Sequence, residues 1–364
     1  MLALLLPIVP GLLLPPSTPL IPGVTWGPAC RSCAVHMSGA HAEGKEEQEQ
    51  LDAEAAIAAA AVARDPERIA GLRASQLEAV AALKAEVAEA GDSHPVAAAL
   101  AKKGSLTTST KFLRALKKPK GTMALIGEGA TRTQATLGGY DLNDPLYLSS
   151  QFRESGCAGV CVGVGTEREL SPDALAKTVE EQAAQKGEFP GPVAVMARGP
   201  FVDELQLAKL ASQGAEAVLL DTILNGPEAT AALALAATEL GLQPVIRIGT
   251  EEELGAALDA GAAILCVGDC SLPQAAEMRE KIPQDVIAIC DVPVRDVRGA
   301  WMVRDMGYNA LIVSDSLTDV CVRDRVPPVA VLKGMLSKGS VQYGLGMQKG
   351  RLEGAKENLG TLAM

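Results

Sequence analysis

The 364-residue sequence is poor in aromatic residues, which make up 3% of it, whereas hydrophobic residues make up 48%. Its core must therefore be built from Ala, Val, Leu and Ile, the composition of parallel sheets that are covered by helices. Basic residues are too few to balance the acidic ones, and the formal net charge is −11. Because proteins that bind duplex nucleic acid are normally basic, this deficit disfavours a nucleic-acid partner.

Histidine is also scarce, since the chain has only His36, His41 and His94. The chain beyond His94 has no histidine that could act as a base or bind a metal. This excludes Ser-His-Asp chemistry and histidine-based zinc sites in that part. Eight cysteines are present, and Cys30 and Cys33 form a CxxC in a segment with targeting character. The others fall mostly in or beside predicted strands, as small buried hydrophobes do. A disulfide framework is not expected in a chain of this size and pattern.

No hydrophobic run is long enough to predict a stable membrane span, which needs about 20 consecutive apolar residues. The N-terminal stretch is apolar but is broken by prolines, and it reads MLALLLPIVPGLLLPPSTPLIPG. The next stretch, VTWGPACRSCAVHMSGAHA, contains no acidic residue. Together they resemble a two-part signal and transit sequence of plastids, with a disordered tail as the alternative. We therefore expect residues 1–43 to be a targeting segment and the processed protein to be soluble in the plastid (chloroplast).

Residues 44–106 are rich in alanine and interleaved charges, with a predicted helix break near Asp65 and Pro66. Apolar residues recur there at helical spacing, at Ile69, Leu72, Leu77, Val80, Leu83 and Val87. This pattern predicts a helical arm that packs on the main domain or on a protein partner, with its charged face in solvent.

Short β-branched runs alternate with amphipathic helical segments over residues 107–340, and residues 341–364 form a C-terminal tail. Eight strands are predicted, at Thr122–Ile126, Gly159–Val164, Val193–Ala197, Ala217–Leu220, Val245–Ile248, Ile264–Val267, Val286–Ile289 and Ala310–Val313. Eight strand–helix units are typical of an α/β (β/α)8 barrel, the TIM barrel. No GxGxxG follows the first strand, which disfavours an open dinucleotide-binding sheet. The predicted fold is a TIM barrel with an N-terminal helical extension.

The active site of such a barrel lies at the carboxyl ends of its strands. The charged residues at these ends are Glu128, Arg198, Asp221, Arg247, Asp269 and Asp291, and the last strand is followed by Ser314, Asp315 and Ser316. Isolated buried charges are unfavourable, so these groups must pair. Two interpretations remain open: structural ion pairs that fill the barrel mouth, or an anion pocket formed by two arginines. In the second interpretation, the hydroxyls of Ser314 and Ser316 before the last helix hold a phosphate.

The sequence resembles the indole-3-glycerol phosphate synthase family over about residues 107–336. The segments that carry the resemblance include FLRALKKPKGTMALIGEGATRT, VDELQLAKLASQGAEAVLLD, ATELGLQPVIRIGTEEELGAALDAGAAILCVGDCSL and IPQDVIAICDVPVRDVRGAWMVRDMGYNALIVSDSLT. The resemblance implies a (β/α)8 barrel that closes and decarboxylates an anthranilate-derived ribulose phosphate in tryptophan biosynthesis. It implies a carboxy-lyase with a lysine general acid, a second lysine, glutamates for proton transfer and a phosphate cradle. It implies no metal and no organic cofactor.

The positions that carry catalysis in that family hold other residues here. The first-strand lysine falls on Glu128, the general-acid lysine on Arg198, the fifth-strand glutamate on Arg247, the sixth-strand asparagine on Gly268, and the seventh-strand glutamate on Asp291. Arginine stays protonated at any working pH, so Arg198 is a poor proton donor. The opposite charge changes at Glu128 and Arg247 predict that Arg247 pairs with Glu128 or Asp291.

The phosphate cradle is also rewritten. The eighth-strand glycine falls on Ser314, and Pro293 replaces a backbone N–H donor. The hydroxyls of Thr131, Thr133, Ser314 and Ser316 are the candidates for phosphate contact.

Three functional interpretations fit these residues. The first is a pseudoenzyme that serves as a structural or regulatory subunit and contacts a protein partner through the arm. The second is an enzyme that acts on another phosphorylated small molecule, with Glu128 as base and Arg198 and Arg247 as anion clamps. The third is an active indole-3-glycerol phosphate synthase.

Overall fold

The computed structural model describes residues 61–119, 121–129, 135–166 and 169–337. Eight parallel strands form a closed barrel in which each strand pairs with its sequence neighbours and β1 pairs with both β2 and β8. The strands are β1 Ala124–Glu128, β2 Gly159–Gly163, β3 Ala194–Arg198, β4 Ala217–Asp221, β5 Gln243–Ile248, β6 Ile264–Val267, β7 Ile287–Cys290 and β8 Ala310–Val313. The predicted α/β (β/α)8 barrel is confirmed.

Helices connect the strands and cover the barrel from outside. They are α1 Pro66–Ala90, α2 Pro95–Ala101, α3 Lys111–Leu116, α4 Pro145–Ser155, α5 Ala174–Ala184, α6 Glu204–Ser212, α7 Thr222–Glu239, α8 Glu251–Asp259, α9 Leu272–Lys281, α10 Val297–Asp305, α11 Asp315–Asp324 and α12 Pro328–Leu336. A short hairpin of Thr136–Leu137 and Tyr140–Asp141 lies between β1 and α4. No helix in the described ranges is both long and apolar enough to cross a membrane.

The barrel interior is filled by small and aliphatic side chains such as Ile126, Met196 and Ile289. Helix α3 closes the amino-terminal end of the barrel, where its fully buried Phe112 and Leu116 join this inner cluster. A second, larger cluster lies between the strands and the surrounding helices. The two apolar layers explain how a chain with few aromatic residues builds a core.

The N-terminal helical extension is present as α1 and α2. The Asp65 carboxylate accepts a hydrogen bond from the Glu67 N–H at 3.2 Å and Pro66 begins α1, so the predicted break is where the helix starts. Val80 and Leu83 are buried, whereas Leu72 and Leu77 are 41% and 51% exposed. Only part of the predicted apolar stripe therefore packs on the barrel. Residues 1–60 and the predicted tail, 341–364, lie outside the described residues.

Three strands extend further than predicted and end on charged residues, at Glu128, Arg198 and Asp221. Charged residues are poor candidates for buried strand positions when they are read without their partners. In the folded barrel these groups are paired, so the strand pairing continues through them. The charged residues are thus fixed on the barrel wall and not on mobile loops.

Candidate functional site

The guanidinium of Arg198 lies at the carboxyl end of the barrel between two carboxylates. Its Nη1 and Nη2 donate to Oδ1 and Oδ2 of Asp291 at 3.0 and 2.7 Å, a two-pronged pairing. Nη1 also lies 3.3 Å from Oε2 of Glu128, whose side chain is 0% exposed. Arg198 thus joins β1, β3 and the end of β7.

Arg247 extends the same network to β4 and β6. Its Nη1 donates to Asp221 at 3.1 Å and its Nη2 donates to Asp269 at 2.8 Å. Nη2 also lies 3.3 Å from Oδ2 of Asp291, the oxygen that accepts from Arg198. The two guanidinium groups and four carboxylates therefore form one continuous network across the barrel mouth.

Of the two predicted partners of Arg247, Asp291 is the observed one. Glu128 pairs with Arg198 instead. The reason is the register of the wall, in which Glu128 aligns with Cys161 of β2, and Gly163 of β2 aligns with Arg198. Glu128 and Arg198 are thus separated by one strand, and a long arginine side chain spans that distance.

Gly268 provides the space that the Arg247 guanidinium occupies. A Cβ on Gly268 would lie 3.0 Å from both Nε and Nη2 of Arg247 and 3.3 Å from Oδ2 of Asp291. The next residue, Asp269, has a φ of 52°, a left-handed conformation that aspartate tolerates better than most residues. The arginine at position 247 and the glycine at position 268 are therefore sterically linked.

The charges of the network determine its protonation. Burial alone would lower the pKa of Arg198, but the carboxylates of Asp291 and Glu128 outweigh it and hold that pKa well above its ordinary value. Burial raises the pKa of Asp269, and the ion pair with Arg247 only partly offsets this. Neither arginine can supply or take a proton near neutral pH.

Two thiols lie next to the network. Cys161 donates to Oε1 of Glu128 at 3.7 Å, and Cys266 belongs to the inner core. Burial raises the pKa of both thiols well above the ordinary value. Because the thiolate is the reactive form, neither cysteine has the character of a nucleophile.

Arg64 binds at the rim of the mouth, immediately before α1. Its Nη1 and Nη2 donate to Oε1 and Oε2 of Glu253 at 2.9 and 3.1 Å. Oε2 of Glu253 also accepts from the N–H of Gly249 at 2.7 Å, at the end of β5. The helical arm is therefore anchored beside the strand that carries Arg247.

The structure brings together the predicted residues Glu128, Arg198, Arg247 and Asp291. Ser314 precedes α11 and Ser316 lies in its first turn. Thr131 and Thr133 lie outside the described residues.

Sequence reasoning did not find the space at Gly268 or the role of Asp269 as a partner of Arg247. Both residues belong to the motif CVGDC, and the position of this motif at a strand end was the signal that could have found them. In the sequence itself, none of the eight strands or the loops that follow them contains a lysine. The described residues contain no group of three or more His, Cys, Asp or Glu side chains arranged to hold a metal ion.

The fold and the charged mouth define a (β/α)8 barrel protein of the class that places its site at the carboxyl ends of the strands. The model of the indole-3-glycerol phosphate synthase family matches residues 77–324, more than half of the chain. The chain belongs to the indole-3-glycerol phosphate synthase family.

Individual relatives are similar at modest identity. Indole-3-glycerol phosphate synthase of Chlorobium luteolum is 26% identical over 65% of this chain and 88% of the relative. The enzyme of that name from Streptomyces griseus is 28% identical over 64% of this chain and 88% of the relative. Among solved structures, tryptophan synthase from M. tuberculosis aligns at 19% identity with a TM-score of 0.46, over 62% of this chain and 94% of that chain.

Proposed function

We propose that this chain is a family member that has lost the ring-closing and decarboxylating reaction and serves as a structural or regulatory subunit. The observation that carries the proposal is the guanidinium of Arg198, which stands at the position of the lysine general acid that the family resemblance implies. It is held by Asp291 at 2.7 and 3.0 Å and by Glu128 at 3.3 Å.

Proton transfer is the step most affected. A general acid must release its proton near the working pH, and the pKa of Arg198 lies well above its ordinary value because of Asp291 and Glu128. No lysine lies in a strand or in the loop directly after it, and no histidine lies beyond His94, so no neighbouring residue of either type replaces it. Losing one proton-transfer group costs about 10²- to 10⁴-fold in rate.

Charge balance at the mouth also opposes a phosphorylated substrate. Among the described residues, the two guanidinium groups are already paired with four carboxylates, so carboxylates outnumber cations in this part of the network. An entering phosphate dianion would have to displace a carboxylate from Arg198 or Arg247 to obtain a cation. A subunit role is instead supported by the outward-facing Leu72 and Leu77 on α1, which suit a protein contact.

The test is an assay of the purified full chain for indole-3-glycerol phosphate formation from the carboxyphenylamino ribulose phosphate. An ordinary synthase of the family is the reference. We expect a rate more than about 100-fold below the reference, because several proton-transfer positions are replaced together. A rate within about 100-fold would refute the loss of activity and favour the third interpretation, a true synthase.

A thermal-shift series with sugar phosphates tests the rival assignment, an enzyme with another phosphorylated ligand. A ligand at about 100 times its dissociation constant stabilises by about 2.7 kcal/mol, which shifts the melting temperature measurably. We expect no shift for the intact chain. A shift that Arg198→Met abolishes and Arg323→Met retains would assign phosphate binding to the mouth.

A further inference from the structure

A cavity of about 300 Å³ lies outside the barrel, between α1, the segments that follow β2 and β3, and α6. Its apolar wall includes Leu83 of α1, Leu175 of α5, Phe201 and Leu210, all of which are buried. No residue of the charged network lines it, so it is separate from the barrel mouth. Its volume and mixed lining are those of a site for a small molecule.

The polar side of the cavity carries both hydrogen-bond donors and acceptors. Nε2 of Gln206 donates to Oε1 of Gln76 at 2.9 Å, and Oε1 of Gln206 accepts from the Val202 N–H at 2.7 Å. The amide nitrogen of Gln76 therefore stays available as a donor. Glu169 also lines the cavity, but its carboxylate accepts from the Gly165 N–H at 2.8 Å.

Lys209 contributes a positive charge at the same side. Its side chain makes no ion pair with another residue in the parts of the chain that the structure describes. An ammonium beside an apolar wall matches a ligand that has an apolar body and an anionic end.

We propose that this cavity binds a small monocarboxylate with a flat or branched apolar body. The body packs on Leu83, Leu175 and Phe201, and the carboxylate accepts hydrogen bonds from Lys209 and Gln76. Because one wall belongs to α1 and the others to the barrel, the bound molecule holds the helical arm on the barrel. The proposal does not depend on the loss of catalysis, since the two sites share no residue.

The test uses benzoate as the probe and benzamide as its uncharged counterpart, with the full chain and ligand-observed NMR. We expect benzoate to bind with a millimolar dissociation constant and benzamide to bind more weakly. Lys209→Met should weaken benzoate binding about tenfold, the effect of one charge-assisted hydrogen bond, and should leave benzamide unchanged. Lys186→Met removes an exposed lysine that does not line the cavity, so it should change neither constant.

A second variant, Ala79→Trp, places an indole into the cavity from the exposed surface of α1, with little effect on the core. It should abolish binding of both probes, and hydrogen exchange of the α1 amides should slow with benzoate only in the unmodified chain. Circular dichroism confirms that each variant is folded. Absence of benzoate binding at tens of millimolar, equal affinities for Lys209→Met and Lys186→Met, or unchanged binding to Ala79→Trp would each overturn the proposal.

Discussion

Replacing Arg198 by methionine removes the cation at the centre of the charged network and keeps an unbranched apolar stem. The side chains of Glu128 and Asp291 are 0% and 7% exposed, so both carboxylates would lose a cation in a place that water hardly reaches. Removing one partner of a buried ion pair costs about 3–5 kcal/mol. Arg247 still lies 3.3 Å from Asp291, so we expect a loss near the lower limit, about 3 kcal/mol.

The measurement is urea unfolding at pH 7, followed by far-UV circular dichroism. Arg323→Met is the matched control, because the Arg323 side chain is 60% exposed and pairs with Asp324 on the surface. Such an exposed pair is screened by water and contributes little to stability. The double variant Arg198→Met with Glu128→Gln should recover about 1 kcal/mol or more of the loss, since the most buried carboxylate then carries no charge.

A loss no larger than that of the control Arg323→Met would refute this reasoning. It would mean that other groups balance the charges of Glu128 and Asp291, and that Arg198 contributes little to the stability of the barrel mouth. A double variant that is less stable than the single variant would contradict the charge argument as well.

Four further predictions follow, three from the network and its surroundings and one from the N-terminal sequence. The pKa of Asp269 is raised by burial, so as the pH falls the folded state takes up this proton before the unfolded chain does. Ionised Asp269 therefore lowers the free energy of unfolding at pH 7, and this loss fades as the pH falls toward about 4. In urea unfolding, Asp269→Asn should be at least as stable as the unsubstituted chain at pH 7 and should lose that advantage toward about pH 4. A stability difference that is equal at both pH values would contradict this. Gly268→Ala should cost about 1–3 kcal/mol because its Cβ would meet Arg247 at 3.0 Å. The double variant Gly268→Ala with Arg247→Ala should lose less stability than the sum of the losses of the two single variants. Losses that simply add would contradict the steric link. Arg64→Ala should speed hydrogen exchange in the first turn of α1, and it should cost only about 1 kcal/mol because the Arg64 side chain is 30% exposed; unchanged exchange would show that the arm is anchored elsewhere. A fusion of residues 1–43 to a fluorescent protein should enter plastids, whereas diffuse cytosolic fluorescence would argue against the targeting proposal.

Local patterns in the sequence were sufficient to predict the barrel and the end of it that carries the charges. Strands such as Ile264–Val267 and Ala310–Val313 have the bounds that hydrophobic periodicity predicted. These features depend on neighbouring residues, on turn chemistry and on the number of strand–helix units. For the same reason the candidates Glu128, Arg198, Arg247 and Asp291 could be predicted as strand-end residues.

Only the tertiary structure decided which charges meet. Arg198 pairs with Asp291 across 93 positions of the chain and with Glu128 across 70, so no local pattern relates them. The partners depend on the register of adjacent strands and on the reach of each side chain, as the pairing of Glu128 with Arg198 shows. The space for the Arg247 guanidinium is likewise a property of the closed barrel, because it arises from a glycine on the neighbouring strand end that leaves room for it.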